Sequence, residues 1–168
     1  MEKVKPEVLV GRDIIDRVRR NVADLSEEAL HGEFDDFFSK QREICEFVTD
    51  LMSEGGQPAR ELCLFLAYMV YKTAKEHGGS CVQPVDAQKI AAACSESRKW
   101  IEKMDSLSGT DIDHSSVAGR DGQFHLLGFV IGEINGITSE DLELTEQDKG
   151  RILFVLKTVI LSLTWSKG

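Results

Sequence analysis

The most apolar stretch of the chain is PARELCLFLAYMVYKTAKEH, residues 58–77. Pro58 suits the first turn of a helix, because the N–H group that proline lacks would have no partner there. Gly78 is suited to ending that helix in the left-handed conformation. A helix that is apolar on two faces is expected at the centre of a bundle. The apolar side chains of this stretch fall on two such faces: Leu62, Phe65, Leu66 and Met69 on one, and Cys63, Ala67, Val70 and Ala74 on the other.

A second apolar run predicts the other central helix, over about residues 146–165. Thr145 and Asp148 form the capping-box pattern that starts many helices. Neither central run is long enough to cross a bilayer, which needs roughly 20 apolar residues, and the second contains Lys157. No membrane association is therefore expected. The apolar side chains of the second run are Ile152, Val155, Leu156, Val159, Ile160 and Leu163.

Two helices are predicted before the first central run. The first covers about residues 12–25, and the second covers Ser26 to about Ser53, with Ser26 as its N-cap. The second carries apolar residues four and three apart, with Gln41 as the one polar member of the series. We interpret this series as a seam packed within the chain, and a seam shared with a second chain is the alternative. Gly32 offers an early break. The seam consists of Leu30, Phe34, Phe37, Gln41, Ile44, Val48 and Leu51.

A further helix is predicted to begin at Asp86, a good N-cap, with Val85 and Ile90 as a hydrophobic staple. The segment 124–135 is interpreted as a helix, with a short strand as the alternative. On a helix its glycines, four apart, would form a bare ridge that lets another backbone come close. The small face of Ala87, Ala91 and Ser95 is the expected receiver of that ridge. The ridge consists of Gly128, Gly132 and Gly136.

Composition agrees with these periodicities. Hydrophobic residues make up 42% of the 168 positions and charged residues 29%, which is typical of a globular chain. The fold class predicted is all-α: a compact bundle of about five to seven helices, with the two central helices at about 58–77 and 146–165. The whole chain, 1–168, is expected to be one domain, with a flexible tail at 1–10 and a long loop at 106–122.

The formal net charge of −9 disfavours nucleic acid, whose phosphates an acidic chain repels. The one basic cluster, Arg17 to Arg20, is surrounded by aspartates and is interpreted as an ion-paired helix face. An acidic surface is better suited to a protein partner. The four cysteines form no C-x-x-C pair, and the first residues lack a secretory signal, so a cytoplasmic location with reduced thiols is expected.

No catalytic signature is present. The chain contains no G-x-x-x-x-G-K-[ST], no H-E-x-x-H and no G-x-S-x-G pattern, so the sequence predicts neither an enzyme nor a cofactor.

Two sets of residues are candidates for a metal or ligand site. Glu28 and His31 form a Glu-x-x-His pair, which on a helix places both side chains on one face. The long loop and its border supply Asp111, Asp113, His114 and His125. The Asp-x-Asp start is similar to a calcium loop, but Ser116 and Gly122 stand where such a loop needs glycine and glutamate. A solvent-exposed pair on a helix and a solvated loop rich in turn-forming residues explain the two sets more simply than a metal does.

Two functions are consistent with the sequence. The first is a protein–protein interaction or regulatory module that acts as a homodimer, with Gly128, Gly132, Gly136 and Trp100 as its interface candidates. The alternative is a small-molecule or metal-binding helical protein, with a site between helices or at loop 111–125.

Overall fold

The computed structural model describes residues 10–78, 82–106, 124–136 and 144–163, and this part of the chain forms seven helices and no strand. The all-α prediction is confirmed, and segment 124–135 is helical, so the strand alternative is wrong. The predicted loop lies outside the described residues except for Ser106, which ends a helix. Val10, which the sequence placed in a flexible tail, is buried. The helices are α1 (Arg12–Ala23), α2 (Glu27–Lys40), α3 (Arg42–Leu51), α4 (Gln57–Gly78), α5 (Ala87–Ser106), α6 (Phe124–Gly136) and α7 (Glu146–Ser162).

The two apolar runs are the central helices, as predicted. Among the described residues, α4 packs against α1, α2, α3 and α7, while α7 packs against α3, α4, α5 and α6. Their side chains therefore supply much of the core, and every residue from Val155 to Ile160 is buried. Burial of this apolar surface is the main stabilising contribution to the fold.

The predicted helix starts are confirmed by their side-chain caps. The Ser26 hydroxyl accepts a hydrogen bond from Ala29 N at 3.1 Å, and the Asp86 carboxylate accepts one from Lys89 N at 2.8 Å. Thr145 and Asp148 form the reciprocal capping box at 3.0 and 3.2 Å. Each cap satisfies a backbone N–H group that has no partner within its helix.

The single helix predicted over 26–53 is wrong, because the chain breaks at Gln41 into α2 and α3. Gln41 has φ −124° and ψ 50°, which is not helical. Its side-chain amide donates to the carbonyl oxygen of Gln83 at 3.0 Å and accepts from Val85 N at 3.0 Å. The Gln41 side chain is 1% exposed and anchors the segment that precedes α5. Gly32, the expected break, lies within α2.

The seam itself lies inside the chain, as the intrachain interpretation predicts. Its six apolar members are buried or pack against the buried core. Phe38, off the seam, is the one large apolar side chain described as exposed, at 41%. The seam is therefore packed largely within the chain.

Helix α6 lies at the edge of the bundle against α1 and α7. Arg12 Nε donates to His125 Nδ1 at 3.3 Å, and Arg19 pairs with Glu133 at 3.4 Å, so part of the basic cluster of α1 serves this contact. The predicted packing of the glycine ridge on the small face of α5 is wrong. Ala87, Ala91 and Ser95 are exposed, and no described atom lies within 4 Å of a Cβ built at any ridge glycine.

None of the described helices combines the length and the hydropathy that crossing a bilayer would require.

Replacing Gln41 by alanine is expected to lower the free energy of unfolding by about 1 to 3 kcal/mol, because the buried Val85 N–H group and the part-buried Gln83 carbonyl lose their partner. Denaturant unfolding followed by circular dichroism measures this. Gln57→Ala is the matched control, since the Gln57 amide is exposed and bonds only Glu61. A Gln41→Ala variant as stable as the control would contradict the anchoring role.

Candidate functional site

Two helices that are not adjacent in sequence, α2 and α4, lie side by side and share an aromatic row. Phe34 stacks on Tyr68 with ring centroids 4.8 Å apart, and Phe37 stacks on Tyr71 at 5.1 Å. The residue numbers rise together on both helices, so α2 and α4 run in broadly the same direction. The intervening α3 makes this possible by returning the chain. Phe37 and both tyrosines are buried.

A row of charged side chains borders the aromatic row. Glu33 accepts hydrogen bonds from the Tyr68 hydroxyl at 2.6 Å and from Lys72 Nζ at 2.9 Å. Asp36 pairs with Lys40 at 3.0 Å and with Lys75 at 3.6 Å. The ammonium groups of Lys72 and Lys75 also lie over the rings of Tyr68 and Tyr71, at 6.0 and 5.6 Å from the centroids. These contacts hold α2 on α4.

Between the two rows lies a groove with a volume of about 310 Å³. This is near the lower end of the volumes of small-molecule sites, roughly 300 to 1,000 Å³. We call it the tyrosine–lysine groove. Its lining residues are Glu33, Asp36, Tyr68, Tyr71, Lys72, Lys75 and Glu76.

The charges fix the protonation states in the groove. Burial alone would raise the pKa of the Glu33 carboxyl, but the hydrogen bonds from Tyr68 and Lys72 outweigh it and lower that pKa. The hydrogen bond from Lys40 is the main cause that lowers the pKa of Asp36. Burial raises the pKa of both tyrosines, and the neighbouring carboxylates raise it further. At neutral pH both carboxyls are therefore ionised and both phenols keep their protons.

The sequence analysis did not identify this groove. A signal was present, because Glu33 and Asp36 have the same three-residue spacing as Lys72 and Lys75. Phe34 and Phe37 match Tyr68 and Tyr71 in the same way. These repeats become a pair of rows only when α2 and α4 are known to be neighbours, and single-helix periodicity does not reveal which helices meet.

Three of the sequence-predicted metal ligands, Glu28, His31 and His125, lie in the described part of the chain, and they form no metal site there. Glu28 and His31 are both exposed on α2, and no cluster of three metal-ligating side chains occurs in the part of the chain described. His125 lies in the first turn of α6 and accepts a hydrogen bond from Arg12. Asp111, Asp113 and His114 lie outside the described residues, so the loop site stays a prediction.

Two other side chains singled out by their type lie inside the bundle. Trp100 is 4% exposed and packs against Lys157, whose Nζ is 5.2 Å from the ring centroid, so it does not present a surface to a partner. His77 is buried in the last turn of α4, and neither ring nitrogen bonds a described residue. Neither His77 nor Trp100 lines the groove.

Two cysteines of the described helices, Cys45 and Cys63, are buried in the apolar core. Burial raises the pKa of both Cys45 and Cys63 to about 12, so these thiols stay protonated at neutral pH. They act as small apolar side chains, as predicted.

Comparison with protein-family models, with curated proteins and with solved structures finds no match for this chain. Its function is therefore argued from its own geometry.

The only two tyrosines of the chain both line the groove, so tyrosinate absorbance reports on it alone. In the folded protein both phenols are expected to ionise above the ordinary pKa of 10.0. Because the folded state holds these protons more tightly, stability should fall as pH rises above that value. The denatured protein should titrate near its ordinary pKa. A tyrosine that titrates at its ordinary value in the native protein would contradict the described burial.

Acid is expected to weaken the α2–α4 contact. The folded-state pKa of Glu33 is below its ordinary 4.5, so its stabilising contribution is complete above that pH and is lost as the pH falls through the folded value. Denaturant titrations at a series of acidic pH values should show a shallower loss of stability in Glu33→Gln than in wild type. The control Glu43→Gln alters an exposed glutamate of α3 and should retain the wild-type slope. If stability fell with pH at the same slope in all three proteins, ionised Glu33 would not stabilise the α2–α4 contact.

Proposed function

We propose that this chain is a protein–protein interaction module that acts as a homodimer through the exposed glycine face of α6. The observation that carries the proposal is the open space around Gly128, Gly132 and Gly136, where no described atom lies within 4 Å of an added Cβ. Nothing in the described chain therefore requires glycine at these three positions.

Glycine within a helix lowers stability by roughly 1 kcal/mol relative to alanine. Gly128 and Gly132 lie inside the 13-residue helix and are therefore costly, while Gly136 is its last residue. Close approach by another backbone is a physical reason to have them on one face. A second copy of the chain is the partner proposed. Two identical glycine faces can cross at close range, and a twofold axis makes such a contact self-complementary.

The surroundings of the face support this partner. Phe129 and Ile131 flank the glycines and are half-buried, so they retain apolar surface for a contact. The one acidic residue of α6, Glu133, is paired with Arg19 of α1. The face therefore contains no unpaired charge that a partner would have to desolvate.

A cytoplasmic location is part of the proposal. Cys45, Cys63 and Cys94 are all free thiols, which is typical of proteins in a reducing compartment.

A second candidate function is the binding of a small molecule between helices. The tyrosine–lysine groove favours it, because the groove has an adequate volume and convergent polar groups at a helix–helix junction.

Native mass spectrometry and sedimentation velocity test the homodimer. The wild-type chain is expected to form a dimer, and Gly132→Leu is expected to be monomeric, because the leucine side chain keeps the two helices apart. Gly32→Leu is the matched control: Gly32 is an exposed mid-helix glycine of α2 with equally open surroundings. It should leave the dimer intact. A wild-type protein that stays monomeric at tens of micromolar, on the order of ordinary dimer affinities, or a dimeric Gly132→Leu variant, would rule out this interface.

A further inference from the structure

The hydrogen-bonding groups of the tyrosine–lysine groove do not balance, and we propose that the groove binds a small carboxylate anion. The hydroxyl of Tyr71 and the ammonium groups of Lys72 and Lys75 would be its hydrogen-bond donors. The proposal rests on the second candidate function, the small-molecule site, and is independent of the homodimer.

Tyr71 is the first reason to expect a ligand. It is 3% exposed and its ring stacks on Phe37, yet its hydroxyl makes no hydrogen bond with any described residue. The hydroxyl of Tyr68, one turn away in the same groove, donates to Glu33 at 2.6 Å. Tyrosine hydroxyls at largely buried positions usually bond a protein group or water. The Tyr71 hydroxyl opens onto the groove, where water or a bound molecule can accept its hydrogen bond.

The two inner carboxylates do not bond the Tyr71 hydroxyl, and each of their four oxygens already has a donor. Glu33 uses Oε2 for Tyr68 and Oε1 for Lys72. Asp36 uses Oδ1 for Lys40 and Oδ2 for Lys75.

The two lysines have N–H donors that no described residue accepts. An ammonium group has three N–H donors, and Lys72 and Lys75 each contact one acceptor among the described residues. Both side chains line the groove and are partly buried, with 14% and 34% of their surface exposed. Together with Tyr71 they form a set of donors without acceptors, which suits an anion.

The charge balance identifies the anion. The lining holds three carboxylates and two ammonium groups, and Lys40 at its edge brings the total to neutral. A doubly charged phosphate needs a surplus of positive charge. A carboxylate carries one charge, and its two oxygens can accept hydrogen bonds from the Tyr71 hydroxyl and from both ammonium groups. The tyrosine rings add an apolar wall, so a carboxylate attached to a small ring fits the groove best.

Isothermal titration calorimetry of the purified protein with benzoate tests this assignment. Benzoate is expected to bind saturably, with a dissociation constant on the order of 1 mM or below. Benzamide, which has the same shape without the charge, and inorganic phosphate should both bind at least about tenfold more weakly. Bound benzoate should also move the tyrosinate titration of the wild-type protein to higher pH, because it places a negative charge beside the Tyr71 hydroxyl.

Tyr71→Phe keeps the ring and removes only the hydroxyl. It should weaken benzoate binding by about tenfold or more, and thermal unfolding by circular dichroism checks that it is folded. Ser39→Ala is the control for loss of a hydroxyl: Ser39 is exposed on α2 and does not line the groove, so this variant should keep the affinity within about threefold, a difference near the noise of such comparisons.

Three results would overturn the proposal, and they separate it from the function on which it rests. Equal binding of benzamide and benzoate would refute the carboxylate assignment and retain a small-molecule site. Unchanged benzoate affinity in Tyr71→Phe would refute the role of the unpartnered hydroxyl. No saturable binding of benzoate or of acetate would remove both the proposal and the groove as a small-molecule site.

Discussion

The arrangement of the helices depends on one buried amide, the side chain of Gln41. Its two hydrogen bonds, to the carbonyl of Gln83 and the N–H of Val85, satisfy backbone groups of an extended segment that a helix cannot satisfy. The same residue ends α2 and begins α3. The resulting break returns the chain, so that α2 lies along α4. A continuous helix over 26–53 would leave the segment before α5 without these partners.

The position of α2 explains why polar side chains are tolerated against the most buried helix. Tyr68 and Tyr71 need apolar contact for their rings and a polar outlet for their hydroxyls. Phe34 and Phe37 stack on the two tyrosine rings and supply the apolar contact. Glu33 accepts the hydrogen bond of the Tyr68 hydroxyl. The lysines one turn further along α4 pair with the carboxylates of α2 and keep those carboxylates ionised. One face of α2 thus supplies both the aromatic contacts and the ion pairs to α4. The Tyr71 hydroxyl is the one polar group of this contact that α2 leaves without a hydrogen bond.

The sequence predicted the features that depend on neighbouring residues and missed those that depend on distant ones. The caps at Ser26, Asp86 and Thr145 involve partners three residues away and were predicted correctly. The two central helices followed from apolar periodicity alone. Gln41 was recognised as the polar member of the seam, but its partners are more than 40 residues away. The groove was missed for the same reason, since Glu33 and Lys72 are 39 positions apart.

In this fold α2 lies on α4 and runs in the same direction, with Glu33 bonded to Tyr68. A double-mutant cycle measures this contact directly, through the free energies of unfolding of wild type, Glu33→Ala, Tyr68→Phe and the double variant. A charged hydrogen bond at 2.6 Å predicts a coupling energy of about 1 kcal/mol or more. Strict additivity, with a coupling energy below about 0.3 kcal/mol, would contradict the pairing of the two helices.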